Sequence, residues 1–409
     1  MARQPAAGRQ PAAPARFRTQ GQGHALAALE RWITGGPPQA LVLAGPAHTG
    51  KTTLALDLAA GLLCAAADPG SRPCRGCRSC RLVETGGHQD LHRLAPQGPG
   101  RQVRIGDPSD PEPGTVRALI RELARLPVEG RGRVALVEQA HRLNEDAQNA
   151  LLKTLEEPPA GAVVILCADE ADRLLPTIRS RAATLRLGPV STRVIEELLA
   201  DRGVEAPQAA RLARLAAGRP GLAVAYAAAP AAVGAREEIA RTLLDLLDAD
   251  RGRRLAVARD LLLRAADLAN LAGASGWEPA EASTGSPAEP AGSGDRDEAE
   301  DADATGTSGG PGGVRRSGET PAERRRAASA LLETWAEVAR DLAVVGAGNR
   351  AAVRDPALLD DLDALAPRLP PGAAAAFLVR LQELAGRLEA NANPELVVDV
   401  LALAWPRAA

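Results

Sequence analysis

The sequence predicts an α/β domain, a parallel sheet with helices on both faces, followed by a remainder that is entirely helical. Three observations carry this. The apolar run Ala40-Leu41-Val42-Leu43-Ala44 leads straight into GPAHTGKTT, residues 45–53, and then into the helical pattern TLALDLAAGLL. From Phe17 to about Gly188, short β-rich runs alternate with helical ones, as crossover helices between parallel strands require. From Ser191 onward the apolar residues keep a helical period.

Taken in order, 40–44 is the first strand, and the loop after it has the spacing and the strand–loop–helix context of a phosphate-binding motif. In such a loop the N–H groups of Gly45, Pro46's neighbours Ala47 and His48, Thr49 and Gly50 face phosphate, with the helix N-terminus behind them. Lys51 then reaches the β and γ phosphates, Thr52 is positioned for Mg²⁺, and Thr53 completes the first turn. His48 stands where such loops often carry glycine, and a positive φ there costs roughly 1 kcal/mol. Candidate strands follow at 134–138 and 163–167, the second carrying Cys167 as a core residue. The helix predicted over 115–126 places Val116, Leu119, Ile120, Leu123 and Leu126 on one face. Another, over 145–157, is stopped by Pro158-Pro159. Residues 191–229 are helical with a break at Gly218-Arg219-Pro220-Gly221, and helical periodicity resumes over 237–271. The tract from 274 to about 322, rich in Gly, Ser, Pro and acid, has almost nothing to bury and is expected to be a disordered linker within one helical domain, with Trp277 as its one apolar anchor. Helices return from Glu323 to the C-terminus.

Four of the five cysteines are Cys64, Cys74, Cys77 and Cys80. In a reducing compartment this spacing suggests a closed tetrahedral zinc site with a structural role, and a redox Cys-x-x-Cys pair or unlinked thiols are the alternatives. Arg72, Arg75, Arg78 and Arg81 are expected to favour the thiolates. The strand at 134–138 ends in Glu138-Gln139, where an ATPase places Asp-Glu. An amide is a poor general base, so the chain is expected to hold nucleotide without cleaving it. His88 and Asp90 are expected to form a turn into a core strand rather than a catalytic pair.

The 409 residues allow two or three domains, and 49 basic against 51 acidic residues give no field that selects for or against nucleic acid. Aromatic residues are only 2% of the chain, which argues against a surface that stacks single-stranded bases. No apolar stretch reaches the ~20 residues of a membrane span. Residues 1–16 lack the apolar core of a secretory signal and are expected to be a disordered tail, so a cytoplasmic location is expected.

Further motifs carry a family resemblance. Ala140-His141-Arg142-Leu143 and NALLKTLEEPP, residues 149–159, closely resemble the bacterial DNA polymerase III clamp-loader family of AAA+ proteins. The cysteine insertion sits where that family carries its zinc module. LLPTIRSRA, residues 174–182, resembles its Ser-Arg-Cys motif with Ala182 in place of Cys, and LEANANPELVVDVLAL, residues 388–403, resembles its last helix. The resemblance implies an AAA+ P-loop domain over 17–188 with the zinc module at 64–80, a helical lid over 189–230, and a helical collar over 231–409 interrupted by the acidic linker. It further implies ATP or ADP with Mg²⁺ at residues 45–53 and Glu138, structural Zn²⁺ on the four cysteines, and Arg181 as an arginine finger acting on a neighbouring subunit. The implied partners are the motor and clamp-opening subunits of a hetero-pentamer, the sliding clamp, and primed DNA through the complex.

Within the family the departures point one way. Motor subunits carry an acidic pair where this chain has Glu138-Gln139, a hydroxyl near Ala168-Asp169, and an arginine where Gly221 stands. The GRPG stretch, 218–221, resembles the delta-prime subunit, a stator. That implies a subunit with little or no hydrolysis of its own, a member of a nucleotidyltransferase holoenzyme by association only. Two other functions remain open: a gamma/tau-type motor that hydrolyses ATP itself, and a stand-alone AAA+ ATPase of DNA repair or recombination.

Overall fold

In the computed structural model the described residues are 16–96, 103–129, 132–273 and 320–408. The N-terminal tail to residue 15 and the acidic linker to residue 319, with Trp277, lie outside them, as do the side chains of 271–273. Arg16, expected to be part of the tail, instead donates from Nε to the Arg72 carbonyl at 2.6 Å.

Five strands form one parallel sheet: β1 (Ala40–Ala44), β2 (Leu91–Leu94), β3 (Arg133–Val137), β4 (Ala162–Ala168) and β5 (Ala183–Arg186), in the order β2-β3-β4-β1-β5. Because side chains alternate along a strand, each strand feeds two cores. Leu41 and Leu43 of β1 join Val134, Leu136, Ile165 and Cys167 on one face. Helices α1 (Gly23–Gly35), α2 (Lys51–Leu63) and α3 (Arg78–Thr85) cover it through Leu29, Leu54, Leu58 and Val83. Val42 and Ala44 join Ala135, Val137, Val164 and Leu166 on the other. That face is covered by α4 (Val116–Leu123), α5 (Glu145–Glu156) and the short α6 (Pro176–Arg179) through Leu119, Leu151, Leu155 and Ile178. Each of the buried Val, Leu and Ile side chains contributes roughly 1.5–3 kcal/mol.

The register of the central strands positions the site. Ala44 pairs with Ala168 and Val137 with Leu166. The chain therefore leaves β1 at Gly45 directly beside Asp169 leaving β4, with Glu138 one strand further over. All three emerge at the carboxyl edge, where open α/β sheets bind ligands.

One helical expectation is corrected. The 115–126 helix stops at Leu123, and Leu126 is 88% exposed rather than on the apolar face. Pro127 follows it and disfavours helical geometry in the residue before. Thr115 caps the helix instead, accepting from Ala118 N–H at 3.3 Å.

The later described residues are helical: α7 (Thr192–Ala200), α8 (Ala206–Leu215), α9 (Pro220–Ala228), α10 (Pro230–Asp245), α11 (Arg251–Gly273), α12 (Pro321–Gly346), α13 (Leu359–Leu365), α14 (Ala373–Glu389) and α15 (Pro394–Ala404). Helix α12 begins before Glu323, because Thr320 and Glu323 form a reciprocal capping box and Pro321 occupies the first turn. One hydrophobic core runs through the helical region, from Val190 and Ile195 to Leu401 and Trp405. Its centre is Trp335, Phe377 and Trp405, with ring centroids 4.5–5.6 Å apart in tilted and edge-on contacts. Trp405 Nε1 donates to the Leu243 carbonyl at 2.9 Å, which satisfies its polar edge. The helical region also holds a buried ion cluster. Arg236 of α10 donates from Nε and Nη2 to Glu337 of α12 at 3.1 and 2.7 Å, and from Nη1 to Asp355 at 2.9 Å.

Candidate nucleotide site and cysteine cluster

The phosphate loop adopts the backbone its sequence demands. Gly45 has φ 150° and Gly50 φ 96°, and a Cβ on Gly45 would lie 2.3 Å from the Leu187 carbonyl oxygen. His48 has the expected positive φ, 64°. Thr49 is buried and donates from Oγ1 to the Pro46 carbonyl at 2.8 Å. Pro46, Ala47, Thr52 and Thr53 complete the turn into α2, and the Thr52 hydroxyl faces the Cys167 thiol, which burial pushes up to about 12. These residues fit a nucleotide phosphate: a glycine-hinged cradle, a helix start behind it and a lysine at its mouth.

Lys51 is folded inward. Its ammonium donates to the Gly45 and Pro46 carbonyls at 2.7 and 2.8 Å and pairs with Asp169 Oδ1 at 2.8 Å. Asp169 is in turn held by His141. Its N–H donates to His141 Nδ1 at 3.1 Å, and Oδ2 lies 3.5 Å from Nε2. Burial lowers the His141 pKa, against the opposing pull of the Asp169 carboxylate.

The acidic strand end is occupied as well. Arg93 of β2 places Nε and Nη2 on the same Glu138 oxygen, Oε1, at 3.0 and 2.7 Å. Gln139 sits at φ 53°, and its Oε1 is buried without a hydrogen-bond partner among the described residues. A carboxylate at either position is thus either engaged or absent. Gly221, at the start of α9, donates its N–H to the His48 carbonyl at 2.9 Å. A Cβ there would lie 3.1 Å from that same oxygen, so the helix start rests on the loop where a larger side chain would press on backbone.

Sequence reasoning missed Asp169 and Arg93. It asked of position 169 only whether a hydroxyl was present, and nothing in the sequence marks Arg93.

The four cysteines converge: the Sγ atoms of Cys64, Cys74, Cys77 and Cys80 all lie within 4.8 Å of one another. Zinc–thiolate bonds of about 2.3 Å give tetrahedron edges of about 3.8 Å, so the set fits such an ion with little adjustment. Cys64 and Cys80 are fully buried, and burial raises both thiols. The N–H groups of Gly76 and Cys77 bring Cys74 down to about 6. Cys77 also caps α3, its Sγ accepting from Cys80 N–H at 3.4 Å.

The arginines around the cluster do something other than expected. Arg72 donates to the Ala66 and Ala67 carbonyls at 2.8 and 2.9 Å. Arg75, with its side chain 6% exposed, pairs with Asp57 of α2 and with Glu84 of α3. Arg78 pairs with Glu129 at 2.8 Å. Arg75 and Arg78 thus bind the insertion to α2, α3 and the α4–β3 loop, and Arg72 closes the insertion on itself. Glu129 also accepts from Ser79 Oγ at 2.8 Å, and Asp90, fully buried, accepts from the Val128 and Glu129 N–H groups at 2.8 and 2.9 Å. His88 and Asp90 form a turn into β2, the Asp90 N–H donating to His88 Nδ1 at 3.1 Å.

Arg181 follows α6. Its Nη2 pairs with Glu156 Oε1 at 2.6 Å and its Nη1 donates to the Thr177 carbonyl at 3.0 Å, with the side chain 37% exposed.

A parallel sheet in this order, a glycine-hinged loop at its central carboxyl edge and a helix start resting on that loop define an α/β protein of the P-loop kind. Residues 21–191 match the family described as DNA polymerase III, delta subunit. The delta' subunit of DNA polymerase III from Bacillus subtilis is 34% identical over 173 residues, which are 42% of this chain and 49% of that protein. The Escherichia coli delta' subunit is 37% identical over 188 residues, 46% of this chain and 53% of its own length. A tau subunit from Salmonella typhimurium is 33% identical over 180 residues, 44% of this chain and 26% of its own. Over these residues the chain is similar to delta' and tau subunits of bacterial DNA polymerase III, and it spans about half the length of the delta' relatives it matches. Among solved structures, a gamma subunit-related protein of DNA polymerase III from Thermotoga maritima aligns over 92% of this chain and 97% of its own, with 16% identity and a TM-score of 0.40. No helix among the described residues is long and apolar enough to cross a membrane.

Proposed function

We propose that this chain is a delta-prime-like stator of a DNA polymerase III clamp loader, a cytoplasmic subunit that helps place the sliding clamp on primed DNA while hydrolysing little or no ATP itself. The observation that carries the reading is the pairing of a well-formed phosphate loop with an engaged Glu138 and an amide at 139. A motor needs a carboxylate to organise Mg²⁺ and another to activate water. Here Arg93 holds the first and Gln139 replaces the second. That also favours the stator over the gamma/tau-type motor, although tau subunits are among the relatives.

On this reading residues 45–53 hold ATP or ADP with Mg²⁺, the four cysteines hold a structural zinc ion, helices α7–α9 (189–230) form the lid and the later helices (231–409) the collar. Partners are the motor and clamp-opening subunits. Arg181 acts outside its own chain: released from Glu156, its guanidinium reaches the γ-phosphate bound by a neighbour and stabilises the charge that develops there. Release is cheap, because an ion pair this exposed contributes only about 0.2–1 kcal/mol. The test is Arg181→Ala in a reconstituted loader. The site it faces should lose about 10³-fold or more in rate, seen as a drop in DNA-stimulated ATPase activity. An unchanged rate sinks the finger assignment.

A further inference from the structure

The ammonium of Lys51 has three protons to donate. Gly45 O, Pro46 O and Asp169 Oδ1 lie 2.7, 2.8 and 2.8 Å from it, and they account for all three. In a phosphate loop this ammonium is the group that meets the β and γ phosphates. An anionic oxygen at hydrogen-bond distance from Nζ therefore engages the very group that would meet the outermost phosphate oxygens. That carboxylate is well anchored. The register of β1 against β4 delivers Asp169 beside Gly45. His141 Nδ1 accepts the Asp169 N–H, so the ring proton is on Nε2 and faces Oδ2.

We propose that Asp169 stands in for the terminal phosphate, so that this loop takes a nucleoside diphosphate in preference to a triphosphate. The inference rests on the reading of residues 45–53 as a nucleotide-holding loop. An α- and β-phosphate can lie on the loop N–H groups and the start of α2 without entering the space of the Asp169 carboxylate. A γ-phosphate brings further negative charge into direct competition with it for Lys51. The usual compensation is missing as well, because the acidic group expected to help hold Mg²⁺, Glu138, already accepts two hydrogen bonds from Arg93. Burial lowers the His141 pKa, which works against a compensating positive charge there.

The test is equilibrium binding of ADP and of the slowly hydrolysed ATPγS, both with Mg²⁺, to the full chain, using calorimetry and the ligand-induced shift in melting temperature. The natural protein should bind ADP at least about tenfold more tightly than ATPγS, a difference of about 1.4 kcal/mol. Asp169→Asn is nearly isosteric and removes the charge. It should close most of that gap by tightening ATPγS while leaving ADP within about threefold. Asp169→Ala should do the same if the asparagine variant folds poorly. Equal affinities in the natural protein, or a substitution that changes both ligands alike, overturn the selectivity. If neither ligand binds the natural protein or either variant, the nucleotide-holding reading itself fails, a pattern distinct from unselective binding.

Discussion

Replacing Arg236 by Met tests whether the buried ion cluster holds the helical half together. Arg236 is 2% exposed and bonds Glu337 through two nitrogens and Asp355 through a third, Asp355 being fully buried. Methionine keeps much of the stem's packing and removes the charge, which leaves two carboxylates short of a partner. Breaking a buried pair from one side costs about 3–5 kcal/mol. Relief comes from Arg219, 3.1 Å from Glu337 Oε1, and from Arg211, 3.5 Å from Asp355 Oδ1. These two cations place the expected loss at the lower end, about 3 kcal/mol. Urea denaturation followed by tryptophan fluorescence reads it, because Trp335 and Trp405 lie within the same core. Adding Glu337→Gln to the methionine variant removes one stranded charge and should restore about 1 kcal/mol. A loss below about 1 kcal/mol for Arg236→Met, or a further loss on adding Glu337→Gln, would refute the argument that burial makes these charges interdependent.

Two further outcomes follow from the α/β half. The purified chain should carry one zinc ion, and a strong chelator should lower its melting temperature as Cys77→Ser does, since metal bound only to the folded chain is folding free energy; substoichiometric zinc together with a melting point indifferent to chelator would contradict the cluster's assignment. Stability should also fall with acid. His92 accepts from Arg133 Nη1 at 2.9 Å, and burial, then the Arg133 charge, lowers its pKa. A depressed folded pKa means stability fully present above the unfolded value of about 6.5 and lost as pH falls below it. Urea midpoints should therefore drop between about pH 7 and pH 5, and His92→Gln should flatten part of that slope; an unchanged slope would show that His92 is not a contributor.

What the sequence disclosed depended on how much of each signal was local. Strands β1, β3 and β4 were readable because they are buried on both faces and appear as unbroken apolar runs. Strand β5, ATLR at the sheet edge, is largely exposed and has no such run. Strand β2 is four residues with His92 and Arg93 in its middle, and only the turn before it gave it away. The loop, the cysteine set and the missing base at 139 are spaced along the chain and could be seen there. The Lys51–Asp169 and Arg93–Glu138 pairs depend on which strands are neighbours, which no single segment encodes. The arginines of the cysteine insertion show the same limit: their proximity to sulfur in sequence said nothing of Asp57, Glu84 and Glu129 waiting in space.

Residues 219–221 join the two halves of the molecule through opposite sides of one short stretch. Gly221 N–H is fastened to the loop at His48 O, and Arg219 Nη2 to Glu337 on α12 at 3.1 Å. A displacement of the loop must tilt α9, and with it strain or shed the tie to α12. Linkage then works in both directions: a ligand that reshapes the loop alters how firmly α12 is held, and a neighbour leaning on α12 changes the loop's affinity for that ligand by the same factor. A loop need not turn over its nucleotide to report in this way, through a few residues of helix start, whether it is filled.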